Sequence, residues 1–238
     1  GSTRLLSKNP PADRGVDKIF RAEPDIDFDI SNAGLRKTIF GMGDQDDVTR
    51  SQVPVVVTIS NGDLRYSSHP VIAGHFLNDG VLYAEKSIDN YLQNTLTHKH
   101  NLGLYPGEIG SNAIFSKMEG SDFKGAVIVG LGEPDQLTSL LLSKTIEQGV
   151  LNYLLSLIGK EIPIGGVGIT SLIMASGYGG LTVESSMKAV ITGVNNANLK
   201  MKMLGNHTYN TIQNLEFIER YANRSLNCMY ILNEIATK

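Results

Sequence analysis

His75, Asn78, Asp79 and Glu85 fall within one short stretch of this sequence, PVIAGHFLNDGVLYAEK. A histidine beside two carboxylates can run acid–base chemistry near neutral pH, and the same side chains can hold the hydroxyls of a bound molecule. Metal ligation is a third chemistry open to these residue types. Their spacing matches no metal motif that has a mechanism behind it, so no metal is expected. A second group of candidates is built from glycine. Gly62-Asp63 follows one apolar run, Gly130 and Gly132 follow another, and Ser176-Gly177-Tyr178-Gly179-Gly180 follows a third. Glycine lets backbone N–H groups approach a ligand closely, and a helix that begins just after it adds partial positive charge, so such turns cradle anions. Asp63 either accepts a hydrogen bond from a ligand's base or sugar or caps its own turn. Tyr105 and Gly107 sit in LGLYPGEIG. There the ring either stacks on a base, with Glu108 bonding an exocyclic amine, or packs inward at a β-turn.

These residues need elements to hold them. Val53–Ile59, Pro70–Gly74, Ala126–Val129 and Val167–Met174 are short apolar runs rich in β-branched residues. They predict strands, the last two buried on both faces. Apolar residues at helical spacing predict helices over Val81–Leu96, from Leu137-Thr138 to Ile158, and from an N-cap at Thr182 to about Leu199. Residues 212–235 read as a final helix with more apolar positions than one face needs, which could also bury a partner. Glu216, Glu219 and Arg220 are expected on its surface as ion pairs, and His98-Lys99-His100 as a solvated turn. No lysine-serine or lysine-threonine pair follows Gly177–Gly180, so this loop is not a Walker motif.

Strand, glycine turn and helix in alternation define an α/β chain with its ligand crevice at the carboxyl ends of the strands. Composition agrees. The chain has 238 residues, 41% hydrophobic and 19% charged, which predicts a globular protein rather than a disordered one. A formal net charge of −3 argues against a nucleic-acid backbone as partner. No apolar run reaches the roughly 20 residues that span a bilayer. The single cysteine, Cys228, excludes an internal disulfide framework and a cysteine-based zinc site, so a reducing, cytoplasmic setting is the simple expectation. The initial Gly-Ser resembles a cloning scar. Residues 1–50 are read as an arm or linker, with DIDFDI at 25–30 as a possible edge strand and an acidic glycine-rich loop at 41–47.

Two stretches resemble known families. AVIVGLGEPDQLTSLLLSK is similar to the N-terminal, non-catalytic domain of leucine aminopeptidases. VTISNGDLRYSSHPVIAGHF and ASGYGGLTVESSMKAV resemble the opening and the phosphate-wrapping loop of macro domains. The same motifs, with GLYPGEIG, look like a family of bacterial sensor domains found beside caspase-like CHAT peptidases and tetratricopeptide repeats in defence proteins. The resemblance implies a three-layer α/β/α macro-like domain with a mixed central sheet over residues 51–238. It also implies an ADP-ribose-like ligand bound by Gly62, Asp63, His75, Asn78, Asp79, Tyr105, Gly107, Gly130, Gly132 and Ser176–Gly180, without a cofactor. The attached effector would be regulated by that ligand. The aminopeptidase catalytic domain is absent, and HFLNDG stands where ADP-ribose hydrolases of the macro family carry an asparagine-rich loop. Peptidase activity therefore does not carry over. Two alternatives stay open: a hydrolase of a nucleotide or ADP-ribosyl bond using His75, Asp79 or Glu85, and an interaction domain that forms homo-oligomers.

Overall fold

The structure, a computed structural model, describes residues 54–162, 164–204 and 210–237. The arm expected over 1–50, with its edge strand and acidic loop, lies outside these residues. The strands are β1 (Val56–Asn61), β2 (Val71–His75), β3 (Asn112–Ser116), β4 (Gly125–Gly130), β5 (Val167–Ser171) and β6 (Ile212–Glu219). They form one sheet in the order β1-β6-β5-β2-β4-β3. Every neighbouring pair is parallel except β3 with β4. The helices are α1 (Tyr83–Tyr91), α2 (Thr95–Asn101), α3 (Ser139–Ser156), α4 (Val183–Met203) and α5 (Ala222–Thr237). The expected α/β class and mixed sheet are what the chain forms.

β4 shows how the sheet is buried. Val127 and Val129 join Leu142, Ile146 and Val150 of α3 and Met187, Val190 and Val194 of α4 in one core. Their neighbours Ala126 and Ile128 join Ile88, Leu92 and Leu96, around α1 and α2, in another. A strand covered on both faces has no polar side to alternate with, which is why it reads as a continuous apolar run. Each such side chain contributes about 1.5–3 kcal/mol on leaving water. The parallel strands leave their carboxyl ends, and the loops that follow them, on one edge of the sheet.

Three expectations require correction. The helix expected over Val81–Leu96 is two helices. Gln93 and Asn94 take positive φ (54° and 61°), which no α-helix tolerates. Buried Asp89 ties the pieces together by accepting from Leu96 N at 2.9 Å and Thr97 N at 3.1 Å, the first turn of α2. Burial pushes this carboxyl up, but hydrogen bonds from Thr97 and Lys86 outweigh burial and hold it below its ordinary value. His98-Lys99-His100 consequently lies inside α2 rather than in a solvated turn. His100 follows buried Leu96 by four positions and so shares its face.

The final helix expected over 212–235 is a strand and a helix, β6 and α5. β6 lies between β1 and β5. Its apolar surplus is accounted for by burial of Ile212, Leu215, Phe217 and Ile218, so it no longer argues for a partner surface. Glu216 is not on the surface but 4% exposed. It accepts from Ser60 Oγ and Thr170 Oγ1, both at 2.6 Å, and from Ser68 N at 2.9 Å. A lone buried carboxylate is costly unless hydrogen-bonded; here it pins the β1–β2 crossover to the sheet. Glu219 pairs with Arg224 at 3.3 Å. Cys228, buried on α5, has its thiol pushed up to about 11 by burial and by Glu219. The edge strand β3, NAIFS, was not foreseen.

Candidate functional site

A cavity of about 580 Å³ opens at the carboxyl ends of β2, β4 and β5. β2 supplies Ala73 and Gly74, and Leu131 follows β4. The loop after β5 contributes Leu172 to Ala175 and Tyr178, and the entry to α1 contributes Asp79, Leu82, Tyr83 and Glu85. Phe76 and Tyr178 meet edge to face at 5.5 Å. Tyr83 and Ala175, both lining the cavity, take φ of 49° and 58°. Such backbone costs roughly 1–2 kcal/mol in a non-glycine residue and collects at functional sites. No lysine or arginine lines the cavity among the described residues.

The loop from Ala175 to Leu181 turns on Gly177 (φ 136°) and Gly180 (φ 72°). Gly180 N donates to Gly177 O at 3.0 Å and Leu181 N to Ala175 O at 3.1 Å. The four amides between, from Ser176 to Gly179, donate to no backbone carbonyl among the described residues. Thr182 then caps α4, its hydroxyl accepting from Ser185 N at 3.0 Å. Backbone amides left unpaired ahead of a capped helix are able to accept an anion, and of this loop Ala175 and Tyr178 line the cavity.

The loop after β4 has the same grammar and a different fate. Gly130 N donates to Ser111 O, Leu131 N to His75 O and Gly132 N to Gly107 O, each at 2.8 Å. A Cβ on Gly130 would lie 2.1 Å from Glu108 O. Gly130 is thus a glycine because neighbouring backbone crosses it closely, and Gly132 because its φ is 67°, and neither amide is left for a phosphate. Gly62 and Asp63 line neither cavity. Gly62 N donates to Glu219 O at 3.1 Å. Asp63 caps a short 3-10 turn (Leu64–Tyr66) by accepting from Arg65 N at 3.0 Å, and it accepts from Tyr91 O–H at 2.7 Å. Burial opposes ionisation of Asp63, but these hydrogen bonds and Arg65 hold its pKa below the ordinary value.

His75, Asn78, Asp79, Tyr105 and Gly107 come together around a smaller cleft of about 300 Å³, with His100, Glu108 and Ser111. His75 is 3% exposed. Its Nδ1 lies 3.0 Å and 3.1 Å from the two oxygens of Glu85, and Tyr105 O–H donates to Glu85 Oε1 at 2.7 Å. His100 donates through Nε2 to Asp79 O at 2.9 Å, and its ring lies 5.8 Å from that of His75. Tyr105 packs inward rather than standing free to stack. Burial and the adjacent Glu85 push its phenol far above the ordinary tyrosine value, fixing it as a donor. Asp79 borders both cavities, while Glu85 lines the larger one and His75 the smaller. No cluster of three or more possible metal ligands exists among the described residues.

Sequence reasoning missed Phe76, Leu82, Tyr83, Leu131 and Leu172–Ala175, the apolar wall of the larger cavity. Apolar residues that line a cavity look the same in sequence as those that fill a core. His100 did carry a signal, its helical spacing from Leu96.

The architecture is the macrodomain fold. A macrodomain mutant from Oceanobacillus iheyensis solved with ADPR matches with a TM-score of 0.52 at 12% identity, covering 77% of this chain and 95% of that one. A Trypanosoma brucei macrodomain in complex with ADP matches with a TM-score of 0.50 at 11% identity, covering 74% of this chain and 68% of that one. The Trypanosoma brucei protein in complex with ADP-ribose gives 0.50 at 10% identity, over 75% and 68% of the two chains. No protein-family model matches the sequence, and no curated protein matches it.

Proposed function

We propose that this chain is a binding module that takes a nucleotide-derived, ADP-ribose-like ligand in the larger cavity. The observation that carries this reading is the loop 175–180, whose amides from Ser176 to Gly179 donate to no backbone carbonyl among the described residues and lie beside a roomy, aromatic-lined cavity. With no cationic side chain among the described residues lining that cavity, backbone N–H groups and the start of α4 hold the phosphates. Phe76, Tyr83 and Tyr178 offer faces to a base, and Asp79 and Glu85 offer acceptors to sugar hydroxyls. The solved macrodomains of the same fold were crystallised with ADP and ADP-ribose, which supports the ligand class.

In this reading residues 51–238 form the sensing domain and 1–50 its arm. Ligand occupancy is reported to an attached effector in a bacterial cytoplasm, and the sequence resemblance to CHAT-associated sensors makes a caspase-like peptidase the first effector to examine. Among the described residues no helix is long and apolar enough to cross a membrane.

Calorimetry with ADP-ribose, ADP, AMP and cyclic nucleotides tests the binding. Saturable heat is expected with at least one of them. Gly179→Val should abolish it, because a Cβ there meets Ala175 Cβ at 2.6 Å and Phe76 Cζ at 2.9 Å. No heat and no thermal shift with any of these compounds overturns the reading. A second reading, hydrolysis of a nucleotide or ADP-ribosyl bond, is favoured by one observation, the His75–Glu85 contact beside the cavity. Product formation by the intact chain, lost in Glu85→Gln, separates it from binding alone.

A further inference from the structure

We infer that the ligand of the larger cavity is two-ended: a nucleotide diphosphate whose far end carries a positively charged ring, of the pyridinium dinucleotide class, rather than free ADP-ribose. The inference rests on the binding reading proposed above and specifies the ligand class of that same site. It starts from the charges that border the cavity. Among the described residues its charged lining is Asp79 and Glu85, with no lysine or arginine beside them. Lys86 follows Glu85 in the chain, but its ammonium is taken by buried Asp89 at 2.9 Å. Glu85 is held in place by His75 and Tyr105. Asp79 is half-buried and makes no ion pair among the described residues. A purely anionic ligand therefore meets two carboxylates with no cation between them, and like charges brought together cost affinity.

The aromatic residues of the cavity point the same way on separate grounds. Tyr83 is 89% exposed and Tyr178 74% exposed, yet both line the cavity. Neither belongs to the two cores, so their faces are free for a ligand. Tyr178 is steadied by the edge-to-face contact with Phe76. The face of an aromatic ring attracts a cation. A positively charged planar ring gains stacking, cation–π attraction and Coulomb attraction at once, whereas a neutral ring of the same size gains the stacking alone.

These groups polarise the cavity. Tyr83 and Glu85 lie in the first turn of α1, and Asp79 lies in the segment that leads into it. The amides from Ser176 to Gly179, which donate to no backbone carbonyl among the described residues, lie in the loop after β5. One wall thus offers donors to phosphate oxygens, and another offers carboxylates and a ring face to a cation. The volume of about 580 Å³ is in the middle of the range for small-molecule sites. Charge alone then sets the direction in which such a ligand lies.

The test is calorimetry on the full chain with NAD⁺, NADH and ADP-ribose titrated separately at low salt. NAD⁺ and NADH share their diphosphate, sugars and adenine, and differ at the nicotinamide ring, which is charged only in NAD⁺. NAD⁺ is expected to bind about fivefold tighter than NADH or ADP-ribose, and added salt should narrow that ratio. Asp79→Asn and Tyr83→Leu each alter a side chain outside both cores, and each should bring the NAD⁺ to NADH ratio closer to unity. The readout is the ratio, so a general loss of affinity does not imitate the effect. NADH or ADP-ribose binding as tightly as NAD⁺ overturns the proposal and leaves the binding module standing. A ratio unchanged in both variants overturns it as well, because the charged ring then rests elsewhere. Absence of heat with all three compounds, and with the other nucleotides named above, overturns both.

Discussion

The loop after β4 and the loop after β5 are built from one recipe. Each follows a buried parallel strand, turns on glycines, and enters a helix through a threonine whose hydroxyl caps the first turn, Thr138 for α3 and Thr182 for α4. In the first loop the amides of Gly130, Leu131 and Gly132 are all spent on protein carbonyls. In the second the amides from Ser176 to Gly179 donate to no backbone carbonyl among the described residues. The difference comes from neighbours. β4 lies beside the edge strand β3, and the segment leading into β3 folds back over its end, so Gly107 and Ser111 supply acceptors there. β5 lies between β6 and β2, and its loop opens to solvent with Gly177 and Gly180 exposed. A glycine turn before a helix is therefore an opportunity for anion binding that stays open only where no other backbone takes the donors first.

Mutations can break this contrast. The largest effect is expected from Gly130→Ala, whose new methyl would stand 2.1 Å from Glu108 O and 2.4 Å from Ser111 Oγ. A clash with backbone that cannot give way costs about 3 kcal/mol, read as a fall of roughly 6–12 °C in Tm for a domain of this size. Gly177→Ala should do the opposite. There is open space around its Cβ position, but φ is 136°, so the loop must change shape. The expected outcome is about tenfold weaker ADP-ribose binding by calorimetry, about 1.4 kcal/mol, with a smaller fall in Tm than Gly130→Ala. The smallest effects belong to what the loops share. Thr138→Ala and Thr182→Ala each remove one cap and should each cost about 1 kcal/mol in denaturant unfolding. Unequal losses would show that one helix start does more than cap.

How much of this was legible in the sequence varies along the chain. β4, α3 and the Thr182 cap were readable because periodicity and capping are local. β6 was not. Leu215, Glu216 and Phe217 alternate as a strand does, but the apolar residues continue into α5 and the joined pattern reads as a helix. Glu216 misled for the same reason. A carboxylate in sequence looks solvated, and its burial rests on Ser60, Ser68 and Thr170, which lie far away along the chain. His75 and Glu85 were picked out as candidates, yet nothing local paired them with Tyr105 or brought His100 alongside.

The amino-acid order alone determined the α/β class, the strand–glycine–helix rhythm and the residue types available to a site, since these follow from propensity and spacing over a few residues. Tertiary structure decided which glycine loop keeps its amides, that His75 is held through Nδ1, and where the cavities open. Each of these depends on which distant backbone or side chain reaches a donor or acceptor first, and a hydrogen bond carries no record in the sequence until the chain has folded around it.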